Sequence, residues 1–277
     1  MPRSSFRADR RTDWLAVGIL VVLSLCALAP FAWMVLASFK PLQEAEGSGF
    51  LPKHWQPENY AKVFTQIPFA RYFMNSAFVA LWVTFLTCLT SAMAAYAFAR
   101  VRWPGRDGVF KLYLATMMVP GVVTMIPNYA IVVKLHLLDS FTGLIVPASF
   151  SAFGTFLLRQ FMLTIPPALD EAAKMDGAGH WKVFLDVVMP LAKPGLATLA
   201  IFTFLGTYGS FYWPLILLKS PHMRTVPIGI LFFDSNYGRQ TNLLMAAAVM
   251  AIIPPVVLYL FGQRLLVKGI QIGAVKG

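Results

Sequence analysis

Seven charged side chains crowd into residues 163–193, between long apolar stretches on either side. The segment reads Thr164-Ile165-Pro166-Pro167-Ala168-Leu169-Asp170-Glu171-Ala172-Ala173-Lys174-Met175-Asp176-Gly177 and continues from His180 to Pro194. Holding each charge at bilayer depth would cost ~2.5–3.5 kcal/mol, roughly 20 kcal/mol together, so the segment belongs outside lipid. Its local pattern predicts helix–turn–helix. Thr164 can cap, and Pro166 or Pro167 suits a first helical position. Asp170 and Glu171 sit early, where the macrodipole favours acids, and Asp170 can pair with Lys174 one turn on. Gly177 fits a left-handed stop. A second short helix is expected from about His180 to Met189, stopping at Pro190, with Trp181, Phe184, Leu185 and Val188 as its apolar face. The chemistry on offer is docking rather than catalysis. Ala172 and Ala173 add almost no bulk beside the Glu171 carboxylate, so this helix can enter a narrow cleft and offer one acid to a basic residue there. An amphipathic helix lying on a membrane surface satisfies the same residues.

Other reactive groupings are missing. No Gly-Lys dipeptide occurs, hence no P-loop. His54, His136, His180 and His222 are scattered, and Cys26 and Cys88 lie in apolar runs where they act as small apolar residues. The expectation is no metal, no cofactor bound by this chain and no enzyme active site. No acid or base lies within an apolar run, whereas ion-coupled transporters need such groups.

The elements that position the docking helix follow from charge distribution. The 277 residues are 58% hydrophobic, above the ~45–50% of soluble domains. Six stretches carry no Asp, Glu, Lys or Arg: Trp14–Phe39, Tyr72–Ala99, Leu112–Val133, Ser140–Leu158, Pro194–Leu218 and Gln240–Gln263. A bilayer needs roughly 20 apolar residues as helix, and lipid leaves the backbone no other partner. Six transmembrane helices of an all-α membrane protein are therefore expected. With both termini cytoplasmic, fifteen of the 23 Lys and Arg residues fall inside and eight outside, as the positive-inside bias requires. The same bias explains the net charge of +11 without nucleic acid, since no basic stripe with interleaved aromatics lies outside the membrane. A cleaved signal peptide ending at Ala37-Ser38 is the rival reading of the first run, although a signal core spans only ~7–15 residues.

The resulting plan is a cytoplasmic tail 1–13, a first span 14–39, an external segment 40–70 with room for an interfacial helix, a transmembrane domain 71–264 and a tail 265–277. Pro120 and Pro127 are expected to interrupt the third helix, and Pro254 and Pro255 the sixth. They either shape packing or bend helices around a solute path. Tyr208, Ser210, Tyr212 and Trp213 can line such a path, where Tyr and Trp would stack on sugar rings, or can pack between helices. In the outside loop Lys219–Arg239, Asn236, Tyr237 and Arg239 offer contacts to an external protein, or the loop is a plain connector.

Glu171-Ala172-Ala173, then Gly177, then Val188-Met189-Pro190 resembles the EAA loop of binding-protein-dependent ABC importers, with Met where Leu is usual. Asn59-Tyr60, Asn75-Ser76, Ala94-Ala95-Tyr96-Ala97-Phe98-Ala99-Arg100, Phe156-Leu157-Leu158-Arg159 and Gly273-Ala274-Val275-Lys276-Gly277 are similar to the carbohydrate branch, in particular the second permease subunit of maltose-type systems. The resemblance covers about Ser38 to the last residue. It implies a type I importer permease fold in a bacterial or archaeal plasma membrane. It also implies a homologous second permease, two ATPase subunits that use the ATP, and an external binding protein. It gives ATPase coupling to Glu171, Ala172, Ala173, Asp176, Gly177 and Pro190, and brings Lys276 and Gly277 toward the ATPase. The implied cargo is a sugar or oligosaccharide; glycerol phosphate or another polyol derivative is the alternative, and a channel or membrane enzyme outside this class a more distant one. One departure concerns the fifth helix: Tyr208-Gly209 stands where the family often has a Trp-Asn pair, so the sugar contacts of that helix differ here or come from the partner.

Overall fold

The computed structural model describes residues 10–238 and 240–274, so most of the N-terminal tail, Arg239, Lys276 and Gly277 lie outside the described residues. All regular elements among these are helical. α1 (Arg10–Ser38) covers the first uncharged run. α2 (Leu42–Ala45) and α3 (Glu58–Gln66) fall in the segment 40–70. α4 (Phe69–Arg100) covers the second run unbroken. The third run is divided into α5 (Arg106–Ala115), a 3-10 turn (Thr116–Met118) and α6 (Gly121–Lys134). Pro120 makes this break, its ψ of 133° being extended, whereas Pro127 stays inside α6. The fourth run forms α7 (Phe141–Ala148) and α8 (Ala152–Thr164). The charged segment forms α9 (Pro167–Met175), α10 (His180–Lys182), a π turn (Val183–Val188) and α11 (Met189–Leu191). α12 (Lys193–Tyr208) and α13 (Tyr212–Leu217) share the fifth run. α14 (Val226–Tyr237) occupies what the sequence suggested was a loop, and α15 (Thr241–Ala274) closes the chain. Pro254 and Pro255 lie inside α15 without ending it. A proline removes its own ladder bond but need not end a membrane helix, so the expected interruption there is absent.

Three helices are individually long and apolar enough to cross a bilayer: Ala16–Ser38, Phe69–Arg100 and Thr241–Gln263. Two bent pairs raise this to five if each is one span: Phe141–Ala148 with Ala152–Thr164 at 43°, and His180–Leu191 with Lys193–Tyr208 at 75°. The first bend shows how lipid is denied the freed backbone. The carbonyls of Ala148 and Ser149 accept hydrogen bonds from the Thr87 and Thr90 hydroxyls of α4 at 3.1 and 2.6 Å. Ser151 then caps α8 by accepting from the Gly154 amide at 2.9 Å. Broken helices survive at membrane depth where neighbours supply such partners.

The chain forms two compact units, Met1–Ile67 with Ile230–Ala251, and Pro68–Gly229 with Ile252–Gly277. In the first, Asn59 is fully buried and donates to the carbonyls of Ser38 and Lys40, both at 2.9 Å. Its side-chain oxygen accepts from Asn242 at 3.3 Å. Phe39 packs between Trp55 and Tyr60, with centroids 5.5 and 5.2 Å away. The Asn59-Tyr60 signature therefore staples the end of α1.

In the second unit, α4 is the central helix and packs on α8 and α12. The contact uses small residues, Ser91, Ala92 and Ala95 on α4 facing Gly154 and Leu199, as close-packed membrane helices do. Asn75 donates to the carbonyls of His222 and Arg224 at 2.9 Å each, and Ser76 accepts from the Val226 amide at 2.8 Å, so this signature fixes the entry to α14. Asp139 accepts from the amides of Lys219 and Ser220 at 2.9 Å and from the Ser220 hydroxyl. These bonds, the Ser220 hydroxyl first, hold its carboxyl below the usual carboxylate range. The link before α7 is tight: a Cβ added to Gly143 would lie 2.3 Å from the Leu137 carbonyl oxygen. Backbone cannot step aside as a side chain can, so Gly143→Ala should destabilise the protein by about 3 kcal/mol, at the upper end of overpacking costs, read as an earlier midpoint in SDS titration.

A candidate coupling elbow and a polar cavity

The elbow between α8 and α12 is built by strong local signals. Pro167 opens α9 at its first turn. Gly177, at φ 82°, closes it in the left-handed region open to glycine. The Ala178 amide bonds the Ala173 carbonyl at 2.9 Å and the Gly177 amide the Lys174 carbonyl at 3.0 Å, the 6→1 and 5→2 pair of a Schellman end. The expected Thr164 cap is not formed. Thr164 ends α8, and its hydroxyl donates back to the Phe161 carbonyl at 2.7 Å.

Asp170 does not pair with Lys174 either. A stronger partner outside the segment takes it: Arg100, at the C-terminal end of α4, lies 3.4 Å from its carboxylate. The two side chains are only 8% and 11% exposed. The same guanidinium donates to the carbonyls of Met162 and Ile165 at 2.6 and 2.7 Å. One residue thus caps the end of α8, terminates α4 and holds the inner face of α9. The sequence marked Arg100 as part of a signature but gave no sign of this partner, 70 positions away in the chain.

The two alanines divide the work. Ala173 faces inward against the core formed by Ala95, Tyr96, Met162 and Phe184. Ala172 is exposed, as are Glu171, Asp176, Gly177 and Pro190. Leu169 and Met175 are exposed on the same helix, Met175 at 88%, and add an apolar component to the free face that the sequence reading missed. Beyond Gly179 the π turn changes the periodicity from four residues to five. Val183, Phe184 and Val188 are buried as a result, whereas Trp181 and Leu185, expected on the same face, are exposed. The helix also continues past Pro190 to Leu191. Tyr96 holds this part of the elbow through a 3.1 Å bond to the His180 carbonyl and a ring contact of 5.1 Å with Phe184. Arg159 braces the neighbouring turn, donating to the Phe98 carbonyl at 3.2 Å and lying 4.2 Å over the Phe110 ring.

The four aromatic and polar residues around the fifth run separate. Tyr208 is buried, stacked on Phe204 at 5.7 Å and edge-on to Phe73 at 6.4 Å. Tyr212 is exposed. Ser210 and Trp213 line a cavity of about 220 Å³ together with Ser76, Asn128, Thr207 and Thr225. Arg239 and the side chains of Asn236 and Tyr237 lie outside the described residues, although the backbone of the latter two belongs to α14. Among the described residues no group of His, Cys, Asp and Glu is placed to hold a metal.

Comparison with known proteins gives this geometry its context. Residues 87–272 match the family described as binding-protein-dependent transport system inner membrane component. An arabinooligosaccharides transport system permease protein, AraQ of Halalkalibacterium halodurans, is 34% identical over 270 residues, covering 96% of this chain and 97% of that protein. The sn-glycerol-3-phosphate transport system permease protein UgpE of Yersinia pestis is 40% identical over 205 residues, 73% of each chain. A subunit of a bacterial ABC transporter that imports the acidic polysaccharide alginate superposes with a TM-score of 0.83 at 25% identity, covering 95% of this chain and 99% of that one. With two thirds of its length inside the family match and relatives of this similarity across nearly all of it, the chain belongs to the inner membrane components of binding-protein-dependent transport systems.

Proposed function

We propose that this chain is one of two membrane-spanning subunits of an ATP-driven importer, and that it moves a sugar or oligosaccharide across a bacterial or archaeal plasma membrane. Six spans fit the helices: α1, α4, α5 with α6, α7 with α8, α12 with α13, and α15. Both termini then lie in the cytoplasm, with residues 14–39 as the first span, 40–70 external and the transmembrane domain at 71–264. The chain binds no cofactor; ATP is consumed by two partner ATPases. Glu171, Ala172, Asp176 and Gly177, with the exposed Pro190, face the ATPase, while Ala173 secures the helix from behind. A homologous second permease completes the path, and an external binding protein delivers the solute.

The observation that carries this reading is the construction of α9. Its inner face is tied to α4 and α8 through Arg100, and its outer face is exposed with one acid beside small and flexible side chains. A push on the outer face is therefore delivered to two membrane helices at once. Isolation of the tagged chain from native membranes should bring a second permease and an ATPase with it, and solute uptake by the reconstituted assembly should require ATP and the binding protein. Uptake by this chain alone in liposomes would overturn the proposal. The 40% identity to a glycerol-phosphate permease supports a second cargo reading, which uptake of labelled sn-glycerol 3-phosphate by the same assembly tests directly.

A further inference from the structure

The cavity lined by Ser76, Asn128, Thr207, Ser210, Trp213 and Thr225 has a composition that selects a ligand class. No Asp, Glu, Lys, Arg or His is among its lining residues. An anion enclosed there would lack a counter-charge in a low-dielectric setting, which is strongly unfavourable. The polar groups that are present, four hydroxyls and one amide, can each donate and accept. Their natural complement is a ligand whose own groups do both, as sugar hydroxyls do. Trp213 adds an aromatic surface, whose electron-rich face attracts the C–H groups of a sugar ring.

A second observation is independent of composition. The Thr225 hydroxyl is buried in a residue only 4% exposed, and it has no hydrogen-bond partner among the described residues. Ser76, beside it, is already engaged by the Val226 amide. Buried hydroxyls are nearly always paired, and one left alone is costly, so the open valence of Thr225 faces space that a ligand group can fill.

We infer that this cavity is a subsite of the second compact unit for one ring of a neutral polyhydroxylated solute, and that the subunit itself contacts the cargo. The inference rests on the importer reading and deepens it by excluding an anionic cargo at this position. It also sets the chain apart from its structural relative that imports an acidic polysaccharide.

The test uses two substitutions chosen to leave the fold intact. A Cβ added to Gly206, which also lines the cavity, meets nothing within 4 Å. Gly206→Leu therefore fills the space without displacing backbone. Thr225→Val removes the unpaired hydroxyl at constant shape, so thermal stability of the complex should hold or rise. Saturation-transfer NMR on the purified importer complex, with D-glucose, L-arabinose, N-acetyl-D-glucosamine and sn-glycerol 3-phosphate as probes, reads binding without requiring transport. At least one neutral sugar should give a signal, glycerol 3-phosphate should give none, Gly206→Leu should reduce the signal at least tenfold, and Thr225→Val about fivefold. No signal from any neutral sugar, an equal signal from glycerol 3-phosphate, or a sugar signal unchanged in Gly206→Leu would each overturn the subsite. ATP hydrolysis stimulated by the binding protein is recorded on the same wild-type complex. Stimulated hydrolysis with a failed sugar signal removes only the subsite, whereas a preparation without any associated ATPase removes the importer reading itself.

Discussion

Replacing Arg100 by leucine should destabilise the protein by about 3–5 kcal/mol, the cost of stranding one member of a buried ion pair, and should abolish ATP-driven uptake. Three groups lose their partner together. The Asp170 carboxylate, 11% exposed, keeps its charge with no cation at 3.4 Å. The carbonyls of Met162 and Ile165 lose donors at 2.6 and 2.7 Å. These carbonyls belong to the last turn of α8 and its exit, where no intrahelical donor exists. The double change Arg100→Leu with Asp170→Leu separates the contributions. It removes the stranded charge but leaves the carbonyls short of donors, so about half the lost stability should return. Full recovery would show that the carbonyl bonds contribute nothing, and no recovery would show that Asp170 was not the partner that mattered. SDS titration of the purified complex, with proteolysis between residues 163 and 193, gives both readouts. Uptake should stay lost in the double variant even where stability returns, because apolar contact between α4 and α9 slides where a hydrogen-bonded clamp does not.

Much of this architecture was legible in the residues, and the exceptions share a cause. The position of the docking helix followed from charge alone, because no bilayer tolerates Asp170, Glu171, Lys174 and Asp176 together. Gly177 followed from the one backbone region that glycine occupies cheaply. Uncharged runs located the apolar segments but not their integrity. Pro120 breaks a helix and Pro254 does not, since what matters is whether neighbours satisfy the freed carbonyls, and such neighbours are distant in sequence. Thr87 and Thr90 satisfying Ala148 and Ser149 is the same effect at the bend between α7 and α8. The Asp170–Lys174 pairing failed for a related reason. An i,i+4 surface pair contributes only ~0.2–0.5 kcal/mol, and a buried guanidinium from α4 outcompetes it. The apolar face of Trp181, Phe184, Leu185 and Val188 failed because it assumed a helix of 3.6 residues per turn, and the π turn over Val183–Val188 re-aims Trp181 and Leu185. The signatures at Asn59, Asn75 and Arg159 pointed to kinship in the sequence; in the structure each is a tether from a side chain to a distant carbonyl or ring.

Glu171→Lys should leave the fold within about 0.5 kcal/mol of the original, as exposed surface substitutions do, yet reduce ATP-driven uptake by about two orders of magnitude or more. The two effects come apart because of where the residue stands. Arg100, Ala173 and the Schellman end anchor α9 from its inner side, so charge reversal on the outer side disturbs none of them. The cleft beside Glu171 is lined by Arg100, Arg102, Arg106 and Lys174, so its carboxylate is a negative point set against a basic surface. Under the coupling proposal a partner presents a cation to that point. Like charges brought together at an interface cost several kcal/mol, and each 1.4 kcal/mol is a factor of ten in the docked population. Membrane insertion and sugar binding should therefore persist while the associated ATPase is lost on purification. Glu171→Gln, which keeps the shape and removes the charge, should fall between the two, and an acidic replacement of the facing cation on the ATPase should restore docking to Glu171→Lys. Wild-type uptake by Glu171→Lys would transfer the coupling role to the exposed apolar residues Leu169 and Met175, and the carboxylate would then be a solubilising group on a surface held by packing alone.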